Sequence, residues 1–262
     1  MRKKIILPLF AAAAGFAGAF LRKMQRETGF EPDTGLAIAG NPWNLALIAL
    51  SIIVVAILLA AVSGMRARET SGGFESGEGN LTHFIMAALG SLALIMACLL
   101  ELYIFLERGD MLRNLLLPLL GLSAVICQVV YTAAIFKGAD YRRFGGAAVI
   151  PVFFLCFLLV ICYKERAADP VILDYVYEFF AVICGILSFY YASGFFFLRC
   201  RPKLLLLFSL LGIYFTLVTA ADSHNAEEYL TFIYIGIYML VHALSAISAA
   251  GFDNNPREDL NE

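Results

Sequence analysis

Two glutamates lie within long apolar stretches of the sequence, where an ionisable group is costly. Glu101 and Glu178 each interrupt a run of aliphatic and aromatic residues. A carboxyl group in such a setting must be protonated, hydrogen-bonded or bound to a cation, because an isolated charge is unstable in hydrocarbon. Ionisable residues inside a membrane are functional candidates for this reason. The pair therefore predicts a site for a proton, a cation or a small polar solute.

Four further polar residues fall within or beside the same apolar stretches. Helical spacing places Tyr238 one turn before His242, and Asp174 one turn before Glu178. The predicted site consists of Glu101, Glu178, His242, Gln128, Asp174 and Tyr238. Small residues recur at steps of three and four around both glutamates, so both are expected to face neighbouring helices rather than lipid. Every Lys and Arg falls in a predicted loop or at a helix end, so we expect no basic partner for the glutamates within the bilayer.

The composition excludes a single soluble domain. The chain has 262 residues, of which 61% are hydrophobic and 15% are charged, with a mean hydropathy of +0.82. A soluble domain carries about 25% charged residues. The net charge of −2 offers no basic surface for nucleic acid. Six cysteines lie in or at the ends of apolar stretches without the spacing of metal ligands, and we interpret them as packing residues.

The apolar residues are grouped in blocks about as long as a bilayer is thick. Backbone polar groups cannot be left unpaired in lipid, so such blocks predict helices. The sequence therefore predicts an all-α, polytopic transmembrane bundle of about eight helices, a single integral membrane domain over 1–262 with a short polar tail at 251–262. The predicted helices cover approximately 4–21, 44–64, 83–106, 114–136, 146–163, 173–198, 204–221 and 229–250.

The distribution of basic residues predicts the orientation. With both termini in the cytoplasm, the inner segments hold 12 Lys and Arg and the outer ones hold 7. Arg22, Lys23 and Arg26, which we assign to the first outer loop, are the exception. In this topology Glu101 and Glu178 fall in the outer third of the bilayer and His242 lies nearer the middle. The predicted pocket lies among the third, fourth, sixth, seventh and eighth helices and opens outward.

The first apolar block has the character of a targeting segment. Basic residues, an apolar run and small residues up to position 19 are similar to a secretory signal peptide. Because further basic residues follow at once, we expect an uncleaved anchor.

One segment in the first predicted outer loop resembles a segment of other proteins. The run Gly29-Phe30-Glu31-Pro32-Asp33-Thr34-Gly35-Leu36 leads to Asn41-Pro42-Trp43. This segment resembles one found in bacterial multi-pass membrane proteins of unassigned function. The resemblance implies a location in the bacterial cell membrane and a similar general layout, and it implies no activity.

Three functions follow from these patterns. The first is a small transporter or permease subunit for a cation or small solute, with Glu101 and Glu178 as the proton or cation groups. The alternative is a non-transporting scaffold, sensor or partner subunit whose polar residues hold helices together. The third is an intramembrane protease, because Ser193 and His242 are similar to the Ser/His pair of rhomboid-type proteases, although Tyr191 stands where that family's G-x-S-G motif has glycine.

Little in the sequence indicates an enzyme. We expect no catalytic residue, no metal site and no cofactor. The expected partners are membrane lipid and an unidentified membrane or cytoplasmic subunit.

Overall fold

The computed structural model describes residues 2–31, 36–65, 80–108, 111–167 and 171–249. Within these ranges the chain is an all-α bundle, as predicted. The helices are α1 (Arg2–Thr28), α2 (Pro42–Ser63), α3 (Leu81–Arg108), α4 (Leu117–Phe136), α5 (Gly145–Arg166), α6 (Ile172–Phe196), α7 (Pro202–Thr219) and α8 (Ala226–Ala249). A π-helical turn, Leu112–Leu116, precedes α4, and a 3₁₀ turn, Tyr141–Phe144, precedes α5. The predicted polar tail at 251–262 lies outside the described residues.

All eight of these helices are long and apolar enough to cross a membrane. The shortest, α7, has 18 residues and is about 27 Å long at 1.5 Å per residue, close to the thickness of the hydrocarbon core. The prediction of eight spans is confirmed for the part of the chain that the structure describes.

The end of α1 differs from the prediction. The apolar pattern ended this helix at residue 21, whereas it continues to Thr28. Arg22, Lys23 and Arg26 therefore belong to the helix, and their assignment to an outer loop is wrong. The physical reason is that the Arg22 side chain is fully buried and paired inside the bundle. The presence of a charged residue at position 22 therefore does not indicate that the helix ends there.

Local polar contacts fix the start of α2 against the end of α1. The Asn41 side-chain oxygen accepts hydrogen bonds from the backbone N–H groups of Trp43 and Asn44, at 2.9 and 3.4 Å. Pro42 follows as the first helical residue, where its missing N–H costs nothing. The Asn41 amide also donates to the Thr28 carbonyl at 2.8 Å. One side chain therefore caps α2 and holds the last residue of α1.

Five helices enclose the interior where most of the candidate residues lie. Helices α3, α4, α5, α6 and α8 contact one another in that order, and α8 packs back onto α3. We call this arrangement the five-helix ring. Helix α7 packs outside it against α6 and α8, and α1 and α2 pack against α7. We expected the seventh helix to line the pocket. The two interior cavities described below are lined by α5 rather than α7, which packs between the ring and α1.

Successive helices run in opposite directions, which gives the bundle two chemically different ends. Helices α1, α3, α5 and α7 finish at the end that holds Glu101 and Glu178, which we call the carboxylate end. The opposite end holds His83 at the start of α3 and, further inside, His242 on α8. We call it the histidine end.

Candidate functional site

One guanidinium at the carboxylate end faces four carboxylates. Arg113 Nη2 donates a hydrogen bond of 2.6 Å to Glu228 Oε1, and Nη1 donates to Glu165. The Arg113 nitrogens also lie 3.4 Å from Glu101 Oε1 and 3.7 Å from Glu227 Oε1. The carboxylates come from α3, α5 and α8. When all five groups are ionised, the cluster carries a formal excess of three negative charges.

The π-helical turn Leu112–Leu116 presents Arg113 to this cluster. Such turns occur frequently at functional sites. Burial lowers the pKa of Arg113, but its hydrogen bond with Glu228 and the charge of Glu165 raise it, and the pKa lies above its ordinary value. The guanidinium therefore remains protonated, and its positive charge always faces the carboxylates.

Glu101 is the buried member of the cluster with an unpaired oxygen. Only 6% of the residue is exposed, and Oε2 has no hydrogen-bond partner within the described residues. Leaving a buried polar atom unpaired costs about 1–3 kcal/mol. A proton, a water molecule or a cation at Oε2 would remove that cost.

A small cavity adjoins Glu101. It is lined by Glu101, Arg113, Leu117, Leu158, Ile161, Cys162, Glu165, Glu178, Glu228, Thr231 and Phe232. We call it the carboxylate cavity. Its volume is about 20 Å³, enough for one water molecule. Glu101 and Glu178, which the sequence paired, therefore meet at the same cavity.

The two glutamates do have basic partners, so the expectation that they lack them is wrong. Arg166 Nη2 donates to Glu178 Oε2 at 3.3 Å, and Arg113 lies beside Glu101. Both arginines occupy helix ends, as the sequence indicated. Their long side chains reach back along the bundle to the buried carboxylates.

A second charged cluster surrounds Arg22, and it contains Asp174. Arg22 Nε donates to Asp222 Oδ1 at 2.6 Å, and Nη1 donates to Gln25 Oε1 at 2.8 Å. Nη2 donates to the Asp174 carbonyl, and the Asp174 carboxylate lies 3.8 Å from the same nitrogen. Asp174 is thus engaged with Arg22 and does not line the carboxylate cavity beside Glu178.

His224 connects the two clusters. Its Nδ1 lies 3.3 Å from Glu228 Oε2, and its Nε2 lies 2.9 Å from the Thr219 carbonyl. The Thr219 hydroxyl donates to Asp222 Oδ2 at 2.9 Å. Polar contacts therefore run without interruption from Arg22 to Arg113.

Sequence reasoning missed most of this network. The missed residues are Arg22, Arg113, Arg166, Asp222, His224, Glu227 and Glu228. They lie in loops or near helix ends, where charged residues are ordinary. The one available signal was the density of Asp222, His224, Glu227 and Glu228 within seven residues.

Three of the predicted residues lie in the interior of the five-helix ring. The Gln128 amide donates to the Tyr234 hydroxyl at 2.8 Å, and its buried Oε1 has no partner within the described residues. The Tyr238 hydroxyl lies 2.9 Å from Ser91 Oγ. His242 Nδ1 lies 3.0 Å from Ser188 Oγ. These contacts join α3, α4 and α6 to α8.

A second cavity lies beside Tyr238 and His242. Its lining includes His83, Tyr131, Thr132, Phe189, Ser193, Tyr238 and His242. We call it the histidine cavity. Its volume is also about 20 Å³, enough for one water molecule. The predicted site is therefore divided between two cavities and the Arg22 cluster, with Gln128 bonded to Tyr234 and lining neither cavity.

The Ser193 and His242 side chains have other hydrogen-bond partners. Ser193 Oγ donates to the Tyr190 carbonyl of its own helix at 2.7 Å, and His242 Nδ1 is bonded to Ser188. A nucleophile and its base must be within hydrogen-bond reach of each other. Within the described ranges, no group of three His, Cys, Asp or Glu residues is placed to hold a metal ion.

The eight apolar helices and the polar interior that they enclose define a multi-pass integral membrane protein. Comparison of the chain with family models, curated proteins and solved structures finds no match. The function must therefore be inferred from the site itself.

Proposed function

We propose that the protein is a small membrane transporter that takes up a proton or small cation at the carboxylate cavity. The observation that supports this function is the buried Glu101 carboxylate, whose Oε2 has no hydrogen-bond partner among the residues that the structure describes, while four carboxylates share the Arg113 guanidinium. An excess of buried negative charge attracts a cation or a proton, because either one relieves the repulsion among the carboxylates.

Arg113 acts as the resident counter-ion of this site. Its guanidinium contacts Glu228 and Glu165 closely and Glu101 more loosely, at 3.4 Å. An arriving proton or cation therefore competes with Arg113 for Glu101, because Glu227, which is held more loosely still at 3.7 Å, does not line the cavity. Glu178, which lines the same cavity and is paired with Arg166, is the second acceptor.

The proposed location is the bacterial cell membrane, with both termini in the cytoplasm and the carboxylate end outside. The larger number of Lys and Arg in the segments on the histidine side supports this orientation. Arg22, one of the three basic residues that weakened the bias, is neutralised by Asp222 within the bundle. The resemblance of the segment 29–36 to bacterial membrane proteins supports the bacterial location.

The test is uptake into liposomes that contain the purified protein. Proton uptake is followed with an enclosed pH-sensitive dye, and uptake of labelled sodium, potassium or methylammonium is followed by filtration. Glu101→Gln keeps the size of the side chain and removes its charge, and we expect uptake to fall at least tenfold. Glu107→Gln is the matched control, because Glu107 is an exposed glutamate of the same helix that does not line the cavity.

The alternative is a non-transporting scaffold, sensor or partner subunit. The observation that favours it is the pairing of both buried glutamates with arginines, since ion pairs of this kind also hold helices together. Glu101→Gln separates the two functions. If the variant changes only the unfolding temperature, and the unaltered protein moves none of the tested cations, the transporter is excluded and the structural role is retained.

A further inference from the structure

Polar side chains recur at almost every turn of α8 on the face toward the five-helix ring. They are Glu228, Thr231, Tyr234, Tyr238, His242 and Ser245, at steps of three or four residues. The last four are buried, with at most 5% of each residue exposed. A hydroxyl or imidazole at each turn of a buried helix face is costly in a membrane unless each group has a partner. We call this series the α8 polar ladder.

The ladder connects the two cavities. Thr231 lines the carboxylate cavity and Tyr238 lines the histidine cavity. Seven residues separate them, which corresponds to about 10 Å along the helix axis. Tyr234 lies between them, is fully buried and lines neither cavity. Its aromatic ring is 5.1 Å from that of Tyr238, measured between centroids.

Gln128 fixes the position of the Tyr234 hydroxyl. Its amide donates to the Tyr234 oxygen at 2.8 Å, so the phenolic proton is directed to another acceptor. Gln128 Oε1, which has no partner in the described part of the chain, is a further acceptor on the same side chain. The phenol of Tyr234 and the amide of Gln128 thus meet at this step, and Gln128 also interacts with Tyr131, which lines the histidine cavity.

The ladder continues to the histidine end. His83 lines the histidine cavity and also a third cavity, of about 50 Å³, which Asn80, Ser245 and Ser248 border. His83 Nε2 lies 3.0 Å from Ser245 Oγ. Since Asn80 precedes α3, this third cavity lies at the end of the bundle. Water-sized spaces and polar groups therefore follow one another from Glu101 to the opposite end.

We propose that the transported species is the proton, and that it passes between the two cavities at the Tyr234 hydroxyl held by Gln128. This inference rests on the proposed function and specifies its substrate and route. Room for one water at each cavity suits a proton, whereas a hydrated metal ion or an organic cation needs more space. The groups between the cavities are a neutral phenol and an amide, which offer a bare metal ion no fixed negative charge.

One complete passage of a proton leaves the protein unchanged. Glu101 Oε2 gains an O–H bond when it takes up a proton, and loses that bond when the proton passes to the cavity water. The Tyr234 oxygen accepts a proton as its own O–H bond breaks toward the next acceptor. The histidine cavity water and His242 then receive the proton and release it toward Ser245. Every carrier gains one bond to hydrogen and loses one.

The experiment measures proton flux in liposomes that enclose a pH-sensitive dye, driven by a potassium diffusion potential with valinomycin. Tyr234→Phe removes only the bridging hydroxyl, and we expect it to lower proton flux at least tenfold. The matched control is Tyr214→Phe. Tyr214 is equally buried and its hydroxyl lies 2.9 Å from Ser51 on α2, outside the ladder. Gln128→Met, which removes the amide with little change in size, is the second variant if Tyr234→Phe does not fold.

The outcomes separate the inference from the proposed function. Loss of flux in Tyr234→Phe with normal flux in Tyr214→Phe supports the route. If both variants keep the proton flux of the unaltered protein, the route is overturned but proton transport is not. Uptake of labelled sodium or methylammonium without proton flux overturns the proton as the substrate and leaves the transporter standing. If the unaltered protein moves none of these cations, the proposed function fails and the inference fails with it.

Discussion

Arg22 on α1 and Asp222, in the segment between α7 and α8, form an ion pair with 2.6 Å between Nε and Oδ1. The two residues are 200 positions apart, and their side chains are 0% and 4% exposed. Arg22 also donates to Gln25 and to backbone carbonyls of α6. The first helix is therefore fixed at the carboxylate end to the start of α6 and to the segment that carries Asp222 and His224.

We predict that Arg22→Gln lowers the free energy of unfolding by about 3–5 kcal/mol, because it leaves the buried Asp222 carboxylate without its main partner. Arg26→Gln is the control. Arg26 contacts the same carboxylate at 3.3 Å but is about one-third exposed (32%), so its loss should cost less than about 1 kcal/mol. Unfolding in detergent micelles, followed by circular dichroism, measures both variants. Equal losses would show that Arg22 contributes no more than a surface charge.

A second prediction concerns the counter-ion of the carboxylate cavity. Arg113→Gln should destabilise the protein by about 3 kcal/mol or more, because four carboxylates then lose their shared positive charge. Arg113→Lys should recover only part of this loss, since an ammonium cannot reach several carboxylates with a planar fork. The same unfolding measurement applies.

The control for Arg113 is an arginine of an exposed ion pair. Arg143 lies 3.6 Å from Asp140 and is 82% exposed, so Arg143→Gln should change stability little. Full stability of Arg113→Lys would contradict the view that the fork geometry of Arg113 holds the cluster together.

A third prediction uses the close approach of α3 to α8. A Cβ atom at Gly90 would lie 2.9 Å from two ring carbons of Tyr238. Because the ring is rigid and hydrogen-bonded to Ser91, Gly90→Ala should cost about 1–3 kcal/mol and displace the ladder. Gly146→Ala, where nothing lies within 4 Å of the added carbon, should be neutral or slightly stabilising. If both variants are equally stable, α3 and α8 are not packed at this distance.

A fourth prediction concerns topology and thiol reactivity. Cys200 lies between α6 and α7 at the histidine end, and burial raises the pKa of its thiol. A higher pKa means less thiolate at neutral pH, so alkylation should be slow there and accelerate as the pH rises. In the proposed orientation, a membrane-impermeant maleimide should label Cys200 in inverted vesicles and not in intact cells. Labelling of intact cells that disappears in Cys200→Ala would reverse the orientation.

The sequence determined the helices and part of the α8 polar ladder. Apolar blocks of bilayer length can only be helices in lipid, and so their number and type followed from hydropathy. The placement of Tyr238 one turn before His242 followed from the periodicity of α8. Hydropathy misplaced the end of α1, because the charge of Arg22 is neutralised by a distant residue.

Only the tertiary structure decided which charges meet. Arg113 and Glu101 are twelve positions apart, yet Arg113 also meets Glu165 and Glu228 from other helices. Hydropathy does not reveal such pairings, because they depend on which helix ends are neighbours. The arrangement of the helices is set by packing among many apolar side chains. The separation of Glu101 from His242 into two cavities, with Tyr234 between them, has the same origin. Each helix carries its own polar stripe, but only the closed five-helix ring determines which stripes face one another.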